Sequence, residues 1–109
     1  MASLTPKLLY IGNANGANVY TSNTNVNSYT IIKNINACAT TGGNTTITLH
    51  ILQTGQTAAA NNKIISDVTV AGNNVTFYNT SIVLPSNTSL YLSHGSNVTV
   101  AISGVEYIA

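Results

Sequence analysis

The segment from Ser28 to Thr41, SYTIIKNINACATT, constrains the fold more than any other part of the chain. Side chains alternate across a β-strand with a period of two, and this segment places Tyr29, Ile31, Ile35 and Ala37 on one face and Thr30, Asn34 and Asn36 on the other. The pattern predicts a strand that lies on a core. Two residues break it: Ile32 is apolar on the polar face, and Lys33 is charged on the apolar face. Ile32 indicates that the second face is partly covered too, by a neighbouring subunit or by another sheet.

Seven further segments have the length and composition of strands, and turn residues separate them. They are Lys7 to Ile11, Asn18 to Ser22, Thr45 to Gln53, Lys63 to Val70, Val75 to Leu84, Ser89 to His94 and Val98 to Ile108. Short strands with turn signals about every 8–12 residues are typical of an antiparallel sandwich or a small barrel. The sequence therefore predicts an all-β domain of about eight strands.

Two turns predict hairpins between consecutive strands. Asn15-Gly16 is a strong tight-turn signal, because both residues tolerate positive φ, and it predicts that the first two strands pair with each other. The turn at residues 41–44, TGGN, predicts a second hairpin between the strand in the Ser28 to Thr41 segment and the strand that begins at Thr45. We accordingly expect one domain, in which residues 1–27 form an amino-terminal arm and hairpin and residues 28–109 form the sandwich. If the arm serves only to dock onto a partner, deleting residues 2–22 should abolish attachment to that partner and leave the sandwich folded.

The chain is unusually poor in charge. Only 5% of its 109 residues are charged, where about 25% is usual, and its polarity comes from 16 Asn, 16 Thr and 10 Ser. A net charge of +1 gives little repulsion between copies, which favours a subunit that is packed into an assembly. Nucleic-acid binding needs clustered Lys or Arg, and this chain has three scattered lysines and no arginine, so we expect no nucleic-acid partner.

Neither a membrane location nor secretion is indicated. The amino terminus lacks a basic start followed by an apolar core, so it does not resemble a secretion signal. No run approaches the roughly 18 apolar residues that a spanning helix needs. The expectation is a protein made in a cytoplasm. Cys38 is the single cysteine, which excludes an internal disulfide, and we interpret it as a buried thiol.

Catalytic chemistry has few candidates. The acids are Asp67 and Glu106, and the imidazoles are His50 and His94. Asp67 with either histidine could complete a Ser-His-Asp set, and His50, His94 and Asp67 together could form a zinc site, but no closely spaced ligand pair supports a metal. We expect no enzyme activity, no cofactor and no metal.

The six tyrosines are the remaining functional candidates. A tyrosine at an interface buries its ring and keeps its hydroxyl paired, and the same chemistry lets it stack on carbohydrate. We favour the interface, because the acidic or arginine anchors of many lectins are nearly missing. The predicted interface residues are Leu8, Tyr10, Tyr20, Tyr29, Ile32, Tyr78, Tyr91 and Tyr107.

Several segments, taken in their order along the chain, resemble a group of small virion proteins of tailed phages. They are TIIKNINACATT, TITLHIL, DVTVAGNNVTF, SIVLPSNTSLYL and VAISGVEYI, and together they cover about residues 28–108. The resemblance implies a jelly-roll-like antiparallel β-sandwich and a structural role in the virion. It implies no catalytic residue.

The function expected from this resemblance is that of a capsid decoration, or cement, protein of a bacteriophage. Its partners would be the major capsid protein or another virion protein, and its own copies, with a homotrimer implied by analogy to decoration subunits. It would reside in the virion and assemble in the host cytoplasm. Two alternatives stay open: a tail, collar or baseplate adaptor, and a glycan-binding module for host attachment.

Overall fold

The computed structural model describes residues 3–109 and is built from β-strands. In chain order the strands are β1 (Ser3–Gly12), β2 (Ala17–Thr21), β3 (Tyr29–Ala39), β4 (Thr45–Leu52), β5 (Lys63–Val70), β6 (Val75–Pro85), β7 (Ser89–His94) and β8 (Val98–Ile108). A single 3-10 turn at Ala60–Asn62 precedes β5. The all-β prediction is confirmed.

The strands form two four-stranded antiparallel sheets that pack against each other. Sheet A has the order β1-β8-β3-β6, and sheet B has the order β2-β7-β4-β5. Only β4 and β5 are neighbours both along the chain and within a sheet, so every other connection between the described strands passes from one sheet to the other. This is the double Greek-key arrangement of a jelly roll. The predicted jelly-roll-like sandwich is therefore confirmed.

Both predicted hairpins are wrong. β1 pairs with β8 and β2 pairs with β7, so the turn at Asn15-Gly16 joins strands of different sheets. The turn at residues 41–44 likewise connects β3 in sheet A to β4 in sheet B. A turn residue reports only that the chain reverses, and the partner of each strand is set by contacts distant in sequence. Residues 3–21 thus supply an edge strand to each sheet instead of a separate hairpin.

The core lies between the inner faces of the two sheets. Sheet A contributes Ile32, Ile35, Leu84, Val100 and Ile102, and sheet B contributes Ile47, Leu49, Val70, Leu90 and Leu92. All ten are at most 2% exposed. Burying a side chain of this size stabilises the fold by about 1.5–3 kcal/mol relative to leaving it in water. The inner faces alone therefore supply a sufficient core.

A β-bulge at Lys33 explains the break in the pattern of β3. The pairing with β8 jumps from Ile32↔Gly104 to Asn34↔Ser103, so Lys33 is an extra residue on β3. An extra residue shifts the alternation by one position. Ile32 before the bulge and Ile35 after it therefore both face the core. Ile32 is 0% exposed in the core between the two sheets, so of the two covers expected for it, another sheet is right and a neighbouring subunit is wrong.

Asparagine accounts for several of the turns. Asn73, Asn87 and Asn97 adopt positive φ values of 55°, 55° and 60°, and each lies in a turn between two strands. Asparagine tolerates this left-handed region better than other non-glycine residues. The high asparagine content therefore serves the many reversals that a jelly roll requires, and these three turns lie between segments that the sequence predicts as strands.

Candidate interaction surface

The outer faces of the two sheets differ sharply in polarity. Eight large apolar side chains are exposed in the described part of the chain, and six of them lie on the outer face of sheet A. These six are Leu4, Leu8, Ile11, Val75, Phe77 and Val83, with exposures from 43% to 63%. We call this surface the apolar face. Contiguous exposed apolar surface on a small protein typically marks an interaction site.

Strand register brings these residues to one side. Residues directly opposite each other in an antiparallel pair project to the same face. Val83 is opposite Ile31, and Phe77 is opposite Asn36, which places the apolar residues of β6 beside the outward residues of β3. On the other side of the sheet, Leu8 is opposite Ser103. The six exposed apolar side chains therefore lie on the two edge strands, and the central strands present Ile31, Asn36 and Ser103 to the same side.

Two tyrosines stack at one end of the apolar face. Tyr29 of β3 is directly opposite Tyr107 of β8, and their rings are 4.9 Å apart with an interplanar angle of 21°. Tyr107 is also opposite Leu4 of β1. Both rings are half-buried by their neighbours, and a stacked pair adds about 0.5–1.5 kcal/mol beyond the area that it buries.

The apolar face is close to electrically neutral. Lys33 is the one charged side chain on it among residues 3–109, and its Nζ donates to Ser81 Oγ at 2.8 Å. The amide of Asn34 donates to Asn79 Oδ1 at 3.0 Å. These polar groups are thus paired within the face itself, which lowers the free-energy cost of removing them from water.

The outer face of sheet B is polar instead. Thr48 Oγ1 donates to Asp67 Oδ1 at 2.9 Å, and Thr21 and Ser89 share a hydrogen bond of 2.8 Å between their hydroxyls. His50 Nδ1 lies 2.6 Å from Oδ1 of Asn62, so the segment before β5 covers part of β4. Several outer groups of sheet B are therefore already paired with its own chain.

The predicted interface residues are dispersed over the molecule. Leu8, Tyr29 and Tyr107 lie on the apolar face. Tyr91 lies on the outer face of sheet B, where its ring meets His50 edge-on at 5.6 Å. Ile32 belongs to the core, so its assignment to an interface is corrected.

The other three tyrosines face inward. Tyr78 is opposite Ile35 and packs against the core, so it offers no free ring for stacking on a sugar. Tyr10 also packs on the core, and its hydroxyl accepts a 2.8 Å hydrogen bond from the backbone of Ala14. Tyr20 closes one end of the sandwich, where its hydroxyl contacts Glu106. Each of these rings serves the fold.

A small ionic cluster lies at the end of the sandwich where β1, β2 and β8 meet. Lys7 Nζ is 3.1 Å from Glu106 Oε1, and the hydroxyl of Tyr20 donates to Glu106 Oε2 and contacts Thr30 Oγ1 at 2.7 Å. Burial, together with the hydrogen bond to Glu106, raises the pKa of Tyr20 to about 12. The hydrogen bond from Tyr20, helped by Lys7 and opposed by burial, lowers the pKa of Glu106. The cluster links the two sheets.

The candidate catalytic residues are held by separate partners. Asp67 bonds Thr48, and His50 bonds Asn62. His94 lies with Nε2 2.9 Å from the carbonyl oxygen of Asn13. Among residues 3–109, no three His, Cys, Asp or Glu side chains are grouped so that they could hold a metal ion.

Sequence reasoning missed most of the apolar face. Leu4, Ile11 and the outward residues of β6 were not selected, because β1 and β6 carry apolar side chains on both faces and the alternation alone does not say which set faces out. Cys38 was predicted to be buried, but it is exposed. It is opposite Val75 and Thr99 and therefore lies on the apolar face. It shares that face with Asn34 and Asn36, as the alternation after Lys33 requires.

Comparison with known proteins finds solved structures of a similar fold. A chain in the structure of infectious bursal disease virus, Gx strain, superimposes with a TM-score of 0.53 over 98% of this chain, at 14% sequence identity. This chain spans about a third (32%) of that neighbour. No family model and no curated protein matches the sequence. The similarity shows a shared fold.

No helix in the described part of the chain is long and apolar enough to cross a membrane.

Proposed function

We propose that this chain is a structural protein of a virus particle, and that it assembles by burying the apolar face against a neighbouring subunit. The apolar face is the observation that carries the proposal. One outer sheet face that no other element covers carries six exposed apolar side chains and a stacked tyrosine pair, which is unusual for a monomeric protein. Obligate subunit contacts are apolar at their centre and rich in aromatic residues.

The fold and the sequence support a viral role in different ways. The jelly roll has a neighbour of the same fold in infectious bursal disease virus, and jelly rolls are frequent in viral capsids. The sequence resembles small virion proteins of tailed phages. Low charge suits a subunit held permanently among others. Within this class, we propose a capsid decoration protein that catalyses no reaction. A tail, collar or baseplate adaptor is the alternative.

The proposal is tested on particles purified from the virus that encodes the chain. Gradient-purified particles are analysed by quantitative mass spectrometry. We expect the chain to co-sediment with the particles in a copy number close to that of the main shell protein. A copy number far below the shell protein's would favour the adaptor, and absence of the chain from the particles would contradict the virion role altogether.

A further inference from the structure

We propose that the subunit covering the apolar face is a second copy of this chain, packed face to face about a two-fold axis. The inference rests on the proposed function for the use of this face, but it concerns the purified protein and can fail separately. When two copies pack through the same face, they form a closed, isologous dimer, in which both subunits contribute the same surface to the interface. The three-fold arrangement implied by the sequence resemblance is therefore not the one that we infer.

The size of the apolar face is sufficient for a stable dimer. Four strands spaced about 4.8 Å apart and about ten residues long give a face of about 19 Å by about 33 Å, or roughly 630 Å². Two such faces bury roughly 1,260 Å² in total, which is at the lower end of the range for specific protein–protein interfaces, about 1,200–2,000 Å². Crystal-type accidental contacts are mostly smaller and wetter.

The charge on the apolar face favours a copy over a charged partner. Lys33 is its one charged residue in the described chain, and no acid lies on it. A partner surface that carried several charges would leave them without counterparts, at a high free-energy cost. A second copy brings only another Lys33. Because Nζ of Lys33 donates to Ser81 on the edge strand β6, the two charges are directed away from the middle of the face.

The character of the apolar face also matches a homodimer. Homodimer interfaces are more apolar than transient ones, at about 65% of their area. The apolar face has aliphatic and aromatic side chains on both edge strands, Leu4, Leu8 and Ile11 on β1 and Val75, Phe77 and Val83 on β6. One hydrogen bond between the amides of Asn34 and Asn79 pairs part of its polar surface within the same copy.

The test is the mass of the purified protein in solution, measured by sedimentation at micromolar concentrations. We expect the wild type to be a dimer. Phe77→Asp places a charge where Phe77 is 58% exposed on the apolar face, and we expect its dissociation constant to rise by at least about 30-fold, as for loss of an aromatic hot spot. Leu8→Asp, on the opposite edge strand, should have the same effect. It replaces Phe77→Asp in the test if that variant does not fold.

The matched control is Val26→Asp. Val26 is 78% exposed but lies between β2 and β3, outside both sheets, so this variant should stay dimeric. Circular dichroism and thermal unfolding verify that each variant is folded. A monomeric or trimeric wild type, or folded aspartate variants of the apolar face that dimerise like the wild type, would overturn the inference. A monomeric wild type that still joins virus particles would reject the second copy and leave the proposed function standing, whereas a dimer that is absent from particles would do the reverse.

Discussion

At the scale of single residues, Tyr20, Glu106 and Lys7 join parts of the chain that are far apart in sequence. Tyr20 belongs to sheet B, whereas Lys7 and Glu106 belong to sheet A. Their contacts lie at one end of the sandwich, where the side chain of Lys7 is 46% exposed and that of Glu106 is 15% exposed. The carboxylate of Glu106 receives both a hydroxyl and an ammonium, and so its ionised form is favoured in the folded state.

This cluster predicts a pH dependence of stability with a definite sign. The pKa of Glu106 is lowered from its ordinary value of 4.5 in the folded protein. Ionised Glu106 therefore contributes stability at pH values above 4.5, and that contribution is lost as the pH falls below 4.5 and through the lowered pKa. In thermal unfolding from pH 7 to pH 3, the advantage of the wild type over Glu106→Gln should shrink at the acid end.

Tyr20→Phe serves as the companion variant in that experiment. It removes the hydrogen bond that is the largest cause of the shift, so the pKa of Glu106 should move back toward its ordinary value. A carbon-detected NMR titration of the carboxyl group reads this pKa directly. If Glu106 titrates identically in the wild type and in Tyr20→Phe, the assignment of the shift to Tyr20 is wrong.

Gly104 tests how closely β8 approaches β3. A Cβ at Gly104 would lie 2.1 Å from the carbonyl oxygen of Ile31, which is backbone and cannot swing away. Gly104→Ala should therefore destabilise the protein by about 1–3 kcal/mol, as other overpacking changes do. At Gly43 a Cβ would meet nothing within 4 Å, so Gly43→Ala should stay within about 0.5 kcal/mol of the wild type. Urea unfolding measures both, and equal stabilities would contradict the close approach.

Some residue-scale features could be predicted from the sequence and others could not. The turn at Asn97 was predictable because asparagine and glycine act locally through their own φ. The outward positions of Tyr29 and Ile31 were not, because the bulge at Lys33 reverses the phase of the strand before it. The sequence pattern around Lys33 contained the signal, namely two adjacent residues out of phase, but it did not say whether a bulge or a second covered face caused it. Only the pairing with β8 distinguishes these.

At the scale of strands, β1 and β2 are parts of the sandwich. β1 pairs with β8 along most of its length, from Ser3↔Ile108 to Gly12↔Val100, and β2 pairs with β7. The eight strands and their turns could be predicted, because alternation and turn chemistry are local. The sheet order could not be, because in a jelly roll nearly every strand pairs with one that is distant along the chain. That is why both expected hairpins failed.

These pairings reverse the expectation for an amino-terminal deletion. Removing residues 2–22 exposes the edges of β8 and β7 and deletes Lys7, Tyr10 and Tyr20 from the contacts described above. We now expect the truncated chain to lose its cooperative fold, which circular dichroism and a thermal melt would detect. A truncated chain that melts cooperatively near the wild-type temperature would show that the remaining six strands suffice.

At the scale of the whole molecule, the sandwich is asymmetric. One outer face is polar and paired within the chain, and the other is apolar, nearly neutral and uncovered. Such a molecule gains free energy by covering one side, because about 25 cal/mol is released for each Å² of apolar surface removed from water. The low charge of the sequence indicates assembly, but only the sheet order identifies the side that we propose for it.

Cys38 provides the most direct measurement of whether that side is covered. It is the single cysteine of the chain and lies exposed on the apolar face, so its reaction rate with a thiol reagent reports the access of solvent to this surface. The rate is measured in intact virus particles and in the free Phe77→Asp variant, with the labelled peptide identified by mass spectrometry. The account predicts a rate several-fold lower in the particles. Equal rates would mean that the apolar face stays open in the assembled state, which would contradict the account.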